Sequence, residues 1–308
     1  MIGILNVNPC VDKTVFVESF AENSVAICHK YDVHSGGKGV NVARVLKSLG
    51  DDAIVFSVFA GETGKHIERM MNDEGLTSHS VWVEGLSRTY TTVVDKNNKQ
   101  FAIKERGPEI KVDEVESIKQ EFLKFLKKID FLCISDTVSC ENMKHFSAYA
   151  VKEAKKRNIK VFLDTDNEAL LFALNAKPDI VKPNNDEIAA IIGKRENEGE
   201  YLDFLAEKGV AFPIVSLGER GCISICDGKR IKVIPPKVET VSAVGCGDSF
   251  IGGFIHSFIN GCNGEQSLKY ASAAGAANAL DIRAAYIEKD TVEKLLKNVI
   301  VKGDKTND

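Results

Sequence analysis

The chain has 308 residues, 44% apolar and 27% charged, with 40 basic against 44 acidic side chains and a formal net charge of −4. That composition excludes intrinsic disorder and small disulfide scaffolds, and suits one large or two small globular domains. Neither sign of charge gathers into a block, so the sequence carries no electrostatic footprint for nucleic acid or an anionic membrane surface. No run approaches the roughly 18 apolar residues that a membrane helix needs. The start, Met1 to Asn6, reads as a strand without a basic leader, which predicts a cytoplasmic protein.

The eight cysteines, Cys10, Cys28, Cys133, Cys140, Cys222, Cys226, Cys246 and Cys262, form no C-x-x-C pair and sit mostly inside apolar runs. They are expected as reduced, buried thiols. The six histidines are scattered, with no i,i+4 pair of the zinc-protease kind, so metal-hydrolase chemistry has no support.

After the first strand, residues 11 to 35 lack helical periodicity and hold β-prone runs. Ser35-Gly36-Gly37-Lys38-Gly39 then precedes an amphipathic helix in which Val40, Ala43, Leu46 and Leu49 share a face and Gly50 is the stop signal. This loop matches neither the Walker pattern nor the dinucleotide fingerprint, yet Lys38, Asn41 and Arg44 cluster within it. Residues 88 to 106 read as a second β segment: Thr89 to Val94, a turn over Asp95 to Lys99, then Phe101-Ala102-Ile103. Two readings fit these segments: a surface hairpin, or a small β layer that lids an active site and offers its edges to a second subunit.

From Lys111 onward the periods alternate. Val112, Val115, Ile118, Phe122 and Phe125 recur at helical spacing before the strand Phe131 to Ile134. A polar helix over about 141 to 157 leads to the strand Val161 to Leu163, and further strands follow at Pro178 to Val181 and Pro213 to Leu217. Strand, helix, strand at this spacing predicts βαβ units, an α/β fold with a mainly parallel sheet covered by helices, and ligand sites beyond the carboxyl ends of its strands.

Two helix starts carry candidate chemistry. Pro183-Asn184-Asn185-Asp186-Glu187 places Asn and Glu three apart, which is either a capping box or an oxygen site for a hydrated Mg2+. Gly245-Cys246-Gly247-Asp248 opens a helix in which Phe250, Phe254 and Phe258 recur every four residues. Its glycines free successive amides to face one anion, and Asp248 is either a dipole-stabilising acid or a base beside developing phosphoryl charge. Cys246, at a helix start inside this nest, is either biased toward thiolate and selectively alkylated, or buried and inert.

Taken in order, six motifs resemble the PfkB branch of the ribokinase-like carbohydrate kinases, nearest in pattern to the 1-phosphofructokinase and tagatose-6-phosphate kinase group. They are Asn8 to Thr14, Gly36 to Leu46, Glu105 to Ile110, Lys182 to Glu187, Ser216 to Gly221, and Ser242 to Phe250. The resemblance runs nearly end to end. It implies one ribokinase-like three-layer domain over 1–308, with a small β-sheet lid from about 11–35 and 88–106. It implies an ATP- and Mg2+-dependent kinase in which Asp248 is the general base and Gly245, Cys246 and Gly247 form the anion hole. Asn184 and Glu187 match the motif that organises Mg2+. Ser216, Gly218, Gly221 and Asn278 match the nucleotide site. Asp12, Gly37, Lys38 and Asn41 match contacts to sugar hydroxyls, and Arg88 matches a contact to the substrate's phosphate. The acceptor expected is a ketohexose phosphate, such as fructose 1-phosphate or tagatose 6-phosphate, and the lids imply a homodimer. An unphosphorylated sugar, or a sensor on the same fold without turnover, are the alternatives; intact Asp248, Asn184 and Glu187 weigh against the sensor.

The chain departs from the family pattern at three places. Asp136-Thr137-Val138-Ser139 stands where Gly-Ser-Leu-Pro is common, Ile27 stands where a basic lid residue is common, with His29 and Lys30 nearby, and Cys246 replaces an alanine.

Overall fold

The computed structural model describes residues 1–137, 140–165 and 167–303. In chain order these form β1 (Ile2–Asn6), β2 (Cys10–Val17), β3 (Cys28–Gly36), α1 (Lys38–Leu49), β4 (Ala53–Ala60), α2 (Gly61–Asp73), β5 (Thr77–Val83), β6 (Arg88–Asp95) and β7 (Gln100–Lys104). There follow α3 (Val112–Phe125), β8 (Phe131–Ser135), α4 (Phe146–Lys155), β9 (Lys160–Asp164), α5 (Asn167–Leu174), β10 (Ile180–Val181), α6 (Asn185–Ile192), α7 (Gly199–Glu207) and β11 (Phe212–Ser216). The chain then runs through β12 (Cys222–Cys226), β13 (Lys229–Ile234), α8 (Cys246–Ile259), α9 (Gly264–Asn278), α10 (Lys289–Leu296) and β14 (Ile300–Gly303).

Ten strands make one sheet in the order β14-β13-β12-β11-β10-β9-β8-β1-β4-β5. Every pairing from β11 to β5 is parallel, and β12, β13 and β14 extend it antiparallel. The central strands are buried on both faces, and their side chains divide by the strand period of two. Ile2, Ile4, Val55, Cys133 and Phe162 join one apolar cluster with α1, α2, α8, α9 and α10. Leu5, Phe56, Leu132, Ile134, Val161 and Leu163 join the other, with α3, α4, α5 and α7. The three layers expected from the alternating periods are present. On the first face α8 approaches its neighbours closely, because a Cβ at Gly252 would lie 2.4 Å from Val45 Cγ1 and one at Gly253 2.6 Å from Ala274 Cβ. Glycines there let helix backbones pack without a cavity or a clash.

The two β-prone segments pair with each other rather than with the main sheet, forming a four-stranded sheet ordered β3-β2-β6-β7. β2 runs parallel to β6 and antiparallel to β3, with Cys10 opposite both Gly36 and Arg88 where this sheet joins the main body. The predicted turn closes β6 onto β7: Asp95 Oδ1 accepts from the amides of Asn97 and Lys99 at 2.8 and 2.9 Å, and Asn98 takes φ 60°. Among the described residues, no helix is long and apolar enough to cross a membrane.

Candidate active site

Helix α8 starts at a turn that only glycine adopts without strain. Gly245 has φ 82°, and a Cβ there would stand 2.7 Å from the Ala285 amide nitrogen. In front of the turn lies open space: a Cβ on Gly247 would meet nothing within 4 Å. The Cys246 amide bonds back to the Ala243 carbonyl at 3.3 Å, and the space beside Gly247 lies at the positive end of the helix dipole. Asp248 sits in the first turn, buried, and that burial pushes its carboxyl up to about 6 despite a hydrogen bond from Asn41 and the nearby Lys38.

The Asp248 carboxylate is held by a chain of fixed donors from α1. Asn41 Nδ2 donates to Asp248 Oδ2 at 2.8 Å, and Arg44 Nη1 donates to Asn41 Oδ1 at 2.8 Å, which sets the amide's orientation. The buried Arg44 guanidinium is itself clamped by Glu74, with Nε to Oε2 at 2.6 Å, by the Ser35 carbonyl at 2.6 Å, and by the Tyr286 ring 4.8 Å away. Glu74 is held below the usual carboxylate range: its hydrogen bonds from Arg44 and Ser35 outweigh burial, which pulls the other way.

Charges from three other elements meet alongside. Asp164, closing β9, accepts from Lys182 Nζ at 3.0 Å and from Lys38 Nζ at 3.3 Å. Burial raises Asp164, but the two ammonium groups prevail and hold it below the ordinary carboxylate value. Lys38 Nζ also lies 3.8 Å from Glu187 Oε1. Burial, with Asp164 as a like-charged neighbour, pushes Glu187 up. Asn184 and Glu187 form the capping box: Asn184 Oδ1 accepts from the Glu187 amide at 2.8 Å, and Glu187 Oε2 from the Asn184 amide at 2.7 Å. Capping uses one oxygen of each side chain, and Glu187 Oε1 faces the Lys38 ammonium. Asn185 Oδ1, in the same turn, is buried with no hydrogen-bond partner among the described residues. Asn184 also bridges to Ser216 at the end of β11, which brings the two motifs together. Gly218, φ 61°, and Gly221, φ 88°, form the turn beyond, where Gly221 N–H bonds back to the Gly218 carbonyl at 3.0 Å.

A cleft opens between the small sheet and the loops flanking α8, lined by Asp12, Thr14, His34, Thr92, Ser242, Val244 and Ala284 among others. Asp12 is raised by burial, against the opposing pull of His34, Arg44 and Arg88. Gly37 N-caps α1 at φ 109°. Arg88 is buried at the root of the small sheet, where Nη2 and Nε donate to the Asn8 carbonyl at 3.2 and 3.3 Å. Asp136 follows β8 as a buried acid whose Oδ1 has no partner among the described residues; burial pushes its carboxyl up to about 7. Val138 and Ser139, in the same departure from the family pattern, lie outside the described residues. Ile27 is 83% exposed in the loop just before β3.

Opposing influences act on the Cys246 thiol. Burial and the Asp248 charge push its thiol up, outweighing a hydrogen bond from Asn278 Nδ2 at 3.3 Å. Of the two readings of Cys246, that direction favours the buried, inert thiol. Iodoacetamide at neutral pH should label the exposed Cys28 well before Cys246, as read by peptide mass spectrometry. Faster labelling of Cys246 would restore the thiolate reading. Asn278 is fully buried and spends its amide on protein: Nδ2 donates to the Val244 carbonyl at 2.8 Å, and Oδ1 accepts from the Ala285 amide at 2.6 Å and Ser249 Oγ at 3.1 Å. It holds the α8 loop from behind.

Lys38 and Asn41 from one motif, and Glu187 and Asp248 from two others, thus stand close together with Asp164 and Lys182. Asp164, Lys182, Glu74 and His34 were not among the residues singled out. Lys182 had a signal in its place just before Pro183-Asn184, whereas Asp164 merely closes an apolar strand. A glycine-opened helix start, a buried carboxylate in its first turn and two lysine ammonium groups nearby are an arrangement suited to phosphoryl transfer on a doubly covered α/β sheet.

Comparison with known proteins agrees. The pfkB family carbohydrate kinase profile matches residues 2–290. A tagatose-6-phosphate kinase of Staphylococcus epidermidis is 30% identical over 308 residues, covering 98% of this chain and 99% of the relative. A 1-phosphofructokinase of Borreliella burgdorferi is 30% identical over 307 residues, covering 98% of each chain. The crystal structure of phosphofructokinase-2 from Escherichia coli, in complex with potassium, superposes with a TM-score of 0.88 at 24% identity over 96% of this chain and 98% of that one. The chain belongs to the pfkB family of carbohydrate kinases and has the ribokinase-like fold, making it a phosphotransferase with an alcohol acceptor.

Proposed function

We propose that the protein transfers the γ-phosphoryl group of ATP to a hydroxyl of a ketohexose phosphate, such as fructose 1-phosphate or tagatose 6-phosphate, with Asp248 as general base. The observation that carries this is the buried Asp248 carboxylate in the first turn of α8, aimed by Asn41 and next to the open space at Gly247. Asp248 takes the proton of the attacking hydroxyl while the amides at Gly245, Cys246 and Gly247 hold the charge that develops on the phosphoryl oxygens. Lys38 neutralises phosphate charge from the other side, and Asn41 keeps the base aimed. Ser216, Gly218 and Gly221 border the nucleotide, with Asn278 fixing the adjoining loop.

The residues present suit a hydrated Mg2+. Glu187, the orphaned Asn185 oxygen and Asn184 supply few oxygens, no group of three acidic or His/Cys ligands exists among the described residues, and Mg2+ characteristically keeps most of its waters. When bound it would neutralise nucleotide phosphate charge. The small sheet's exposed Tyr31, Phe101 and Ile103, with Val25 and Ile27 in the loop before β3 and the free edges of β3 and β7, favour a lid that pairs with a second copy of the chain.

A coupled ATP-consumption assay across ketohexoses and their phosphates tests the reading. With a sugar phosphate, Arg88→Ala should raise KM by roughly tenfold to a hundredfold, the range lost with a charge-assisted hydrogen bond. With a neutral sugar it should change KM little. Equal losses on both remove Arg88 from the phosphate site. A kinase of an unphosphorylated sugar is the second reading, favoured by Asp136, which places an acid within the field of Arg88 and Lys38.

A further inference from the structure

Within the cleft one side chain has hydrogen-bonding capacity that the fold does not use. His34 is 6% exposed, and neither ring nitrogen has a hydrogen-bond partner among the described residues. A buried imidazole left unpaired costs stability, a cost that an oxygen of a bound molecule would remove. On β3 it stands directly across the ladder from Asp12 on β2, with Nε2 3.8 Å from Asp12 Oδ2. That separation is too long for a hydrogen bond and leaves room for one oxygen to reach both groups. The Tyr286 ring packs edge-on at 5.7 Å and closes the far side, so the ring cannot swing out to water unhindered.

The groups facing the imidazole are Asp12, Asp32, Arg44, Glu74 and Tyr286. Burial, which pushes His34 down, is the largest of the influences on it, and the Arg44 charge acts in the same direction against the three carboxylates. A neutral imidazole offers one donor and one acceptor, which suits a hydroxyl and not a phosphate.

We propose that His34 is a substrate-recognition residue: one hydroxyl of the acceptor sugar donates its proton to Asp12 and accepts from His34 Nε2–H. The sugar's hydroxyl-bearing edge then lies on the β2–β3 side of the cleft, and any phosphate it carries points toward Arg88. This rests on the sugar-kinase reading of the cleft.

Isothermal titration of fructose 1-phosphate and tagatose 6-phosphate, without nucleotide, separates the two ideas. The sugar phosphate that binds the parent should bind His34→Leu about tenfold or more weakly, His34→Asn in between, with the KM for ATP unmoved. A panel of monodeoxy analogues adds a readout that a purely structural role would not move. One analogue should bind the parent as weakly as the full sugar binds His34→Leu, and should lose nothing further in that variant. If His34→Leu melts early, the analogue panel on the parent and His34→Asn carries the test. Binding unchanged in both His34 variants overturns this inference alone. Failure of every sugar and sugar phosphate to bind the parent overturns the sugar-kinase reading with it.

Discussion

Asp248→Asn should lower turnover by about two to four orders of magnitude, the range expected when a positioned general base is removed. The substitution preserves shape and can still accept from Asn41, so the KM values for sugar and ATP should stay within a few-fold of the parent. The parent's pH profile supplies a second check. The base must be ionised to act, and its carboxyl is pushed up to about 6, so kcat/KM should fall as the pH drops below about 6 and level off above it. Folding has the opposite sign. A carboxyl raised on folding is costly to ionise in the native state, so above its folded value the charge works against stability. Asp248→Asn should therefore melt no lower than the parent at pH 8, which separates loss of chemistry from loss of fold. Turnover unchanged by the substitution would sink the assignment.

Lys182→Met should destabilise the protein by about 3–5 kcal/mol, because it leaves the Asp164 carboxylate buried with half its compensation gone. Lys182 and Asp164 pair at 3.0 Å with both side chains almost wholly buried, leaving the more exposed Lys38 at 3.3 Å and a long hydrogen bond from Ser135 Oγ at 3.4 Å. The pH dependence carries its own sign. Asp164 is held low in the folded state, so its contribution is present above its unfolded value and is lost as the pH falls through the folded one. Acid should therefore weaken the parent more than Lys182→Met, and denaturation curves of the two should converge as the pH is lowered. Because Lys38 would be drawn further toward Asp164, turnover should fall as well. A variant with unchanged midpoint at neutral pH would show that the buried pair contributes nothing net.

Much of the frame was legible in local pattern. Val40, Ala43, Leu46 and Leu49 marked α1 because a helix repeats every 3.6 residues, and Gly50, with φ 95° and its amide on the Lys47 carbonyl, ended it as expected. The small sheet was legible as two β-prone segments that broke the helical rhythm, but its pairing of β2 with β6 across more than seventy residues was not. The antiparallel strands β12 to β14 also escaped notice, since short apolar runs such as Cys222 to Cys226 carry no sign of which edge they will join. Asn184 and Glu187 showed both of their readings in the sequence, and the structure realises the capping box with Glu187 set beside Lys38.

By itself the sequence determined what is local and directional: helix starts with freed amides, glycines where the backbone must turn, the alternation of periods, and the order of six motifs. Only the tertiary structure decided which charges meet. Lys38 reaches Asp164 across 126 residues, and Asn41 reaches Asp248 across 207. It also decided their protonation. Burial pushes the Cys246 thiol up, which favours the inert one of its two readings, and in the same turn raises the Asp248 carboxyl to about 6. A residue's type and its neighbours in the chain set its chemistry, but solvation and long-range partners set its charge, and those exist only once the strands have brought their carboxyl ends together.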